Sequence, residues 1–135
     1  MPGIELTAGE WLSLITHAKK WVSNLRRAGR QRKLESRGAL RDVILAVRKT
    51  TIYTRSLKEG GAKALDQERE LSLLWTELSF KLEDLGIGKL AKRCRIKGMY
   101  WADPASMNTE FLEKAGIGLS DIERLARLSL QELRE

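Results

Sequence analysis

Apolar residues return at helical spacing from the start of the chain. Trp11, Leu14, Ile15, Ala18, Trp21, Val22 and Leu25 fall on one face, the pattern of an amphipathic helix. Thr7-Ala8-Gly9-Glu10 precedes them and has the form of a capping box, in which the Thr oxygen accepts a backbone N–H and the Glu reaches back. The pattern carries this first helix to about Arg30, or to Ser36 where a polar extension is included, and Gly38 is the expected stop.

A second helix is expected over 39–57, with Leu40, Val43, Val47, Thr51 and Thr54 on its main seam. Gly60-Gly61 then breaks the chain. A third helix over 63–85 carries Leu71, Trp75, Leu78, Leu82 and Leu85. Gly86 followed by apolar Ile87 is a good stop, because Gly takes the left-handed conformation and the next residue packs back.

The second and third helices predict an antiparallel hairpin. Folded about the glycine pair, facing residues should have position numbers totalling about 125, and Leu40 with Leu85, Val43 with Leu82, Val47 with Leu78 and Thr54 with Leu71 comply. The same register aligns Arg41, Arg48 and Arg55 with Asp84, Glu77 and Glu70. The basic stripe lies about +100° from its seam and the acidic one about −100°. In antiparallel helices these are opposite flanks, so the two stripes should face other helices or water. Each helix also carries a second apolar stripe, Leu45 and Ile52 on one, Leu73 and Phe80 on the other. A bundle helix needs one such face, so the C-terminal helices or another subunit should cover the extra pair.

After Gly86, a short helix over 88–97 turns Leu90, Ala91 and Cys94 inward and leads into a corner over 98–102. Asp103-Pro104 should open a further helix, with Asp as cap and Pro in the first turn, ending near Ala115-Gly116. Ser120-Asp121-Ile122-Glu123 is a second capping box, opening a last helix with Ile122, Leu125, Ala126 and Leu133 on one side. No internal repeat or dividing linker is present, so residues 1–135 are expected to form a single all-α domain. The architecture expected is an up-and-down helical bundle of three long helices completed by shorter C-terminal ones.

Composition agrees with this reading. The chain has 135 residues, 42% apolar and 32% charged, with two prolines, which is globular and favours helix over sheet. Its longest apolar run is the five residues from Val43 to Val47, far short of the roughly 20 that a membrane span needs. The start, MPGIELTAGEW, lacks the layout of a signal peptide. Cys94 is the only cysteine, so no internal disulfide can form, and a reducing, cytoplasmic setting is expected.

Charge changes the picture more. The net charge is +7, but residues 1–63 hold 14 Lys/Arg against five acids, and residues 64–135 hold 11 against 13. From Lys19 to Arg41 there are nine Lys/Arg and one acid, Glu35. Ordinary solvated helix faces mix signs, often as supporting i,i+4 pairs. Lys19, Lys20, Arg26, Arg27, Arg30 and Arg32 lie off the Trp-rich face and are candidate phosphate contacts, which need only positive charge and reach. Lys33 and Arg37 continue the run. A second patch, Lys89, Lys92, Arg93, Arg95 and Lys97, runs into Tyr100 and Trp101. Aromatics beside cations can stack single-stranded bases, although a Trp at a helix start also serves as a core plug.

Catalytic chemistry is thinly supplied. His17 is the sole histidine; it is either a general base or a packed residue on the edge of the first helix's face. The Arg four to six residues before the His, expected of helical-bundle RNases, is absent, as are HExxH, P-loop, GxSxG and Cys-rich metal patterns. Glu110 and Glu113 share a helical face, but their metal-binding partners would be Glu70, Glu77 or Asp84 at an unsuitable seven-residue spacing. Cys94 lies between Arg93 and Arg95, which would activate an exposed thiol, but its inward position favours a core role. Neither short C-terminal helix pair suits a helix-turn-helix, because the second helix of each is acidic.

The sequence therefore predicts no catalytic residue, no metal and no cofactor. It predicts a non-enzymatic protein binding nucleic acid through phosphate contacts with little sequence specificity, using Lys19, Lys20, Arg26, Arg27, Arg30, Arg32, Lys92, Arg93 and Arg95. The alternative is a protein–protein adaptor or homo-oligomer using Leu45, Ile52, Leu73 and Phe80.

Overall fold

The turn between the first two helices is made at Gly29, whose φ of 93° and ψ of 166° suit only a residue without Cβ. The computed structural model describes residues 8–25, 29–106 and 118–133. Within them α1 spans Ala8–Leu25, α2 Arg30–Lys58, α3 Leu65–Asp84, α4 Gly88–Ala102 and α5 Leu119–Leu133, with a 3₁₀ turn at Pro104–Ser106. The chain is an all-α helical bundle, and no strand occurs among the described residues.

The expected stop at Gly38 is thus corrected. Gly38 lies inside α2, exposed and without positive φ, and a Cβ there would meet nothing within 4 Å. The polar stretch assigned to the end of the first helix instead begins the second. Ser36, buried at 0% exposure, donates to the Arg32 carbonyl at 2.8 Å within that helix.

The α2–α3 hairpin is antiparallel, in the expected register. Trp75, fully buried, donates its indole N–H to Thr50 Oγ1 at 2.9 Å, and positions 50 and 75 meet the predicted total of about 125. Thr50 in turn donates to the Ala46 carbonyl at 2.8 Å, so both buried polar groups are satisfied. The seam is broader than expected. Leu40, Val43 and Val47 are buried, but Thr51 is exposed and Thr54 half-buried, and Ala39, Ala46, Thr50 and Tyr53 take up the core instead. The cause is that α2 packs on α3 along one side and on α5 along the other. The basic stripe turns away from the acidic one, as expected: Arg48 pairs with Glu123 of α5 and Arg55 with Glu59. The acidic stripe departs from the expectation at Glu70, which reaches across the hairpin to Lys49 of α2.

At the far end of α3 the expected glycine stop is present. Gly86 has φ 84°; its N–H donates to the Glu83 carbonyl at 3.0 Å and the Ile87 N–H to Leu82 at 2.8 Å. These two bonds define a Schellman cap, and Ile87 is buried beside it.

Three C-terminal expectations change. Helix α4 continues through the predicted corner to Ala102, and α3–α4 is the most extensive helix pair in the fold. Gly98 makes that approach close: the Ser72 hydroxyl donates to its carbonyl at 2.8 Å, and a Cβ would come within 3.1 Å of the Ser72 carbonyl oxygen. Pro104 opens a 3₁₀ turn, while the rest of the expected helix, with Glu110 and Glu113, lies outside the described residues. Helix α5 begins at Leu119, so Ser120 is inside it; Glu123 bonds Arg48 and Arg127 rather than reaching back. Ile122, Leu125, Ala126 and Leu133 are buried as expected.

Candidate nucleic-acid interface

The basic residues come from three places. Lys19 and Lys20 are exposed on α1, Arg30 and Arg32 are exposed in the first turn of α2, and α4 carries the second patch. Arg26 and Arg27 lie outside the described residues. Among the described residues, none of Lys19, Lys20, Arg30, Arg32, Lys92 and Arg95 forms an ion pair. Glu35, the one acid near Arg30 and Arg32, accepts from Gln31 instead, at 3.1 Å. The ion pairs that do form lie elsewhere, at Arg48–Glu123, Lys49–Glu70, Arg55–Glu59, Lys81–Asp42 and Arg127–Glu123.

The first turn of α2 is electrostatically unusual. It holds Arg30, Arg32 and Lys33, with no acid and no side-chain cap. The positive end of a helix disfavours cations, each by about 0.3–1 kcal/mol when exposed. An anion docked beside these arginines offsets that cost.

Helix α4 reaches α1 through Lys89, whose Nζ donates to Ser13 Oγ at 3.0 Å. Arg93, half-buried one turn further on, donates to the Lys89 carbonyl at 3.1 Å. This brings one edge of the second patch against the helix that bears Lys19 and Lys20. Lys92 and Arg95 stay exposed on the other edge, in a shallow cleft with Ser79 and Glu83 of α3. Lys97 is half-buried, and burial pulls its amine down to about 8.

The aromatic pair is structural on one side. Trp101 is 6% exposed and meets Tyr53 and Tyr100 edge-to-face, at centroid distances of 5.6 and 5.0 Å. It cannot offer a free face to a base. Tyr100 is half-buried against the core. Tyr53 accepts from the Ala64 N–H at 3.0 Å and donates to the buried Glu68 carboxylate. Burial first, and Glu68 second, raise its phenol above the ordinary value. This arrangement ties the loop after α2 to the start of α3.

Cys94 is fully buried, and burial pushes its thiol up to about 12 despite Arg93 and Lys97. It is core. Among the described residues no group of three His, Cys, Asp or Glu could hold a metal, and no helix is long and apolar enough to cross a membrane.

His17 is half-buried on α1. Burial, then Lys89, then Lys20, hold its ring below the ordinary 6.5. Sequence reasoning treated this residue in isolation, because only the fold brings Lys89 to it.

The extra apolar stripes are open. Leu45, Ile52, Leu73 and Phe80 are 64%, 70%, 57% and 59% exposed, so the described C-terminal helices α4 and α5 do not cover them. Beside Leu45, a cleft of about 400 Å³ runs between α2 and α3, with Leu74 and Leu78 in its wall and Asp42, Lys49, Glu77 and Lys81 at its rim.

Comparison with protein-family models, curated proteins and solved structures finds no match to this chain.

Proposed function

We propose that this protein binds nucleic acid without catalysing a reaction, through phosphate contacts with little sequence preference. The observation that carries this reading is the Lys89–Ser13 contact, which sets the basic edge of α4 against the basic helix α1, while Asp42, Glu59, Glu70 and Glu123 pair with other cations. Lys19, Lys20, Arg30, Arg32, Lys92 and Arg95 supply exposed cations with no ion pair among the described residues; Arg93 donates to the Lys89 carbonyl, and Arg26 and Arg27 continue the run in sequence. With Trp101 packed in the core, backbone phosphates rather than stacked bases are the principal contact.

The test is fluorescence-anisotropy binding to labelled single- and double-stranded oligonucleotides with Lys19, Lys20, Arg30 and Arg32 reversed to Glu. Binding should be lost while helix content is kept. Acids in the first turn of α2 favour the helix dipole, so loss of binding would not report unfolding. Unchanged affinity would end this reading.

A second reading, protein–protein association, is favoured by the four open apolar residues. A patch of both signs around Leu45 can pair with a neutral or mixed surface. Sedimentation velocity over a wide concentration range tests it, and a strict monomer removes self-association.

A further inference from the structure

Ser13, His17 and Lys20 stand at i, i+4 and i+7 on α1, so they share one face over two turns. Lys89 reaches that face from α4 and donates to Ser13 at 3.0 Å. Next to them His17 Nε2 is buried and has no hydrogen-bond partner among the described residues. A buried nitrogen in that state is costly, and native structures rarely leave one without a reason.

The surroundings define what is missing. Apart from burial, the influences on the ring come from Lys89 of α4 and Lys20 of α1 itself, both positive, and none comes from α5, the helix along which α1 packs. Among the described residues a hydroxyl, an imidazole and two ammonium groups thus lie together with no anion. A phosphodiester offers two non-bridging oxygens that accept several hydrogen bonds at once.

We infer that Ser13, His17, Lys20 and Lys89 form a phosphodiester-binding site in which His17 takes up a proton as the phosphate docks. This deepens the nucleic-acid reading proposed above and rests on it. In the free protein, burial and the two lysines disfavour the imidazolium, so the ring is neutral near pH 7. A docked phosphate brings the negative charge that reverses this preference. The proton comes from solvent, and no covalent bond changes.

The sign follows from linkage. Binding raises the ring's pKa, so affinity rises as pH falls through the window between the bound and free values. It flattens above the bound value and below the free one. Within the window the change is up to about tenfold per pH unit for one proton.

The chain has one histidine, so its ring-proton NMR resonance reports this site alone. The ring is titrated from about pH 5 to about pH 8, where histidine changes charge. Three states are compared at matched ionic strength: chloride alone, a thymidine oligonucleotide, and sulfate, which like a phosphodiester does not titrate in this range. The oligonucleotide should raise the ring's pKa, and its affinity should increase toward acid pH. His17→Gln should abolish the rise of affinity toward acid pH.

Oligonucleotide binding without a change in the His17 titration overturns the site and leaves the nucleic-acid reading standing. A shift with sulfate but no oligonucleotide binding overturns the phosphodiester assignment and the nucleic-acid reading, leaving a site for small anions. No shift and no binding overturn both. The wild-type titration needs no variant, so misfolding of His17→Gln cannot obscure the result.

Discussion

Thr50 shows how much one hydroxyl decides. It accepts from the Trp75 indole and donates to Ala46, all within the core. Thr50→Val keeps the volume and strands the indole N–H, so chemical denaturation should show a loss of about 1–3 kcal/mol. A change within about 0.5 kcal/mol, typical of sites with no such role, would mean the bond is unimportant. Cys94 makes an opposite kind of prediction. With its thiol pushed up to about 12 and the residue buried, a disulfide reagent at neutral pH should react only after denaturation. Rapid labelling of the native protein would place Cys94 at the surface, where Arg93 and Arg95 activate it. The apolar spacing of the sequence already favoured a core role for Cys94, and its full burial agrees.

At the scale of elements, apolar spacing revealed the helices themselves, the α2–α3 hairpin and its register. Boundaries were less legible. Both Gly29 and Gly38 lie in a polar stretch between two apolar faces, and spacing cannot choose which one turns the chain. The backbone chooses Gly29, with its φ of 93°. Gly29→Ala should therefore destabilise by about 1–3 kcal/mol, and Gly38→Ala should stabilise by about 0.5–1 kcal/mol through helix propensity. Thermal melts of the two variants check the assignment, and the reverse order would restore the break to Gly38. Gly98 was misread for a related reason. A glycine amid a basic run resembles a corner, but here it allows α4 to lie close against Ser72 and Thr76 of α3. Gly98→Val should cost about 1–3 kcal/mol from overpacking, read by the same melts.

For the whole molecule, the uneven charge along the chain becomes an uneven surface. Three of the ion pairs named above join α2 to α3 and α5, while Lys19, Lys20, Arg30, Arg32, Lys92 and Arg95 form no ion pair among the described residues. The residues of this surface were legible in the sequence as same-sign runs. Its assembly was not, because the Lys89–Ser13 contact spans 76 positions and no local pattern foretells it. One consequence is pH-dependent stability at the α2–α5 seam. Bonds from Arg48 and Arg127 hold the Glu123 carboxyl below its usual range. Its stabilising contribution is present above the unfolded carboxylate value of about 4.3 and fades as pH falls through the lower folded value. Glu123→Gln should weaken the acid dependence of unfolding over that window, whereas an unchanged profile would exclude the pair.

The most direct measurement is oligonucleotide affinity across a salt series. For duplex DNA the logarithm of the binding constant falls against the logarithm of salt with a slope of about −0.9 per phosphate contact. A surface built from α1, α2 and α4 cations predicts a slope of about four or more in magnitude, with affinity tighter than micromolar near physiological salt. Weak binding that vanishes by that salt would mean the +7 charge serves no nucleic-acid contact.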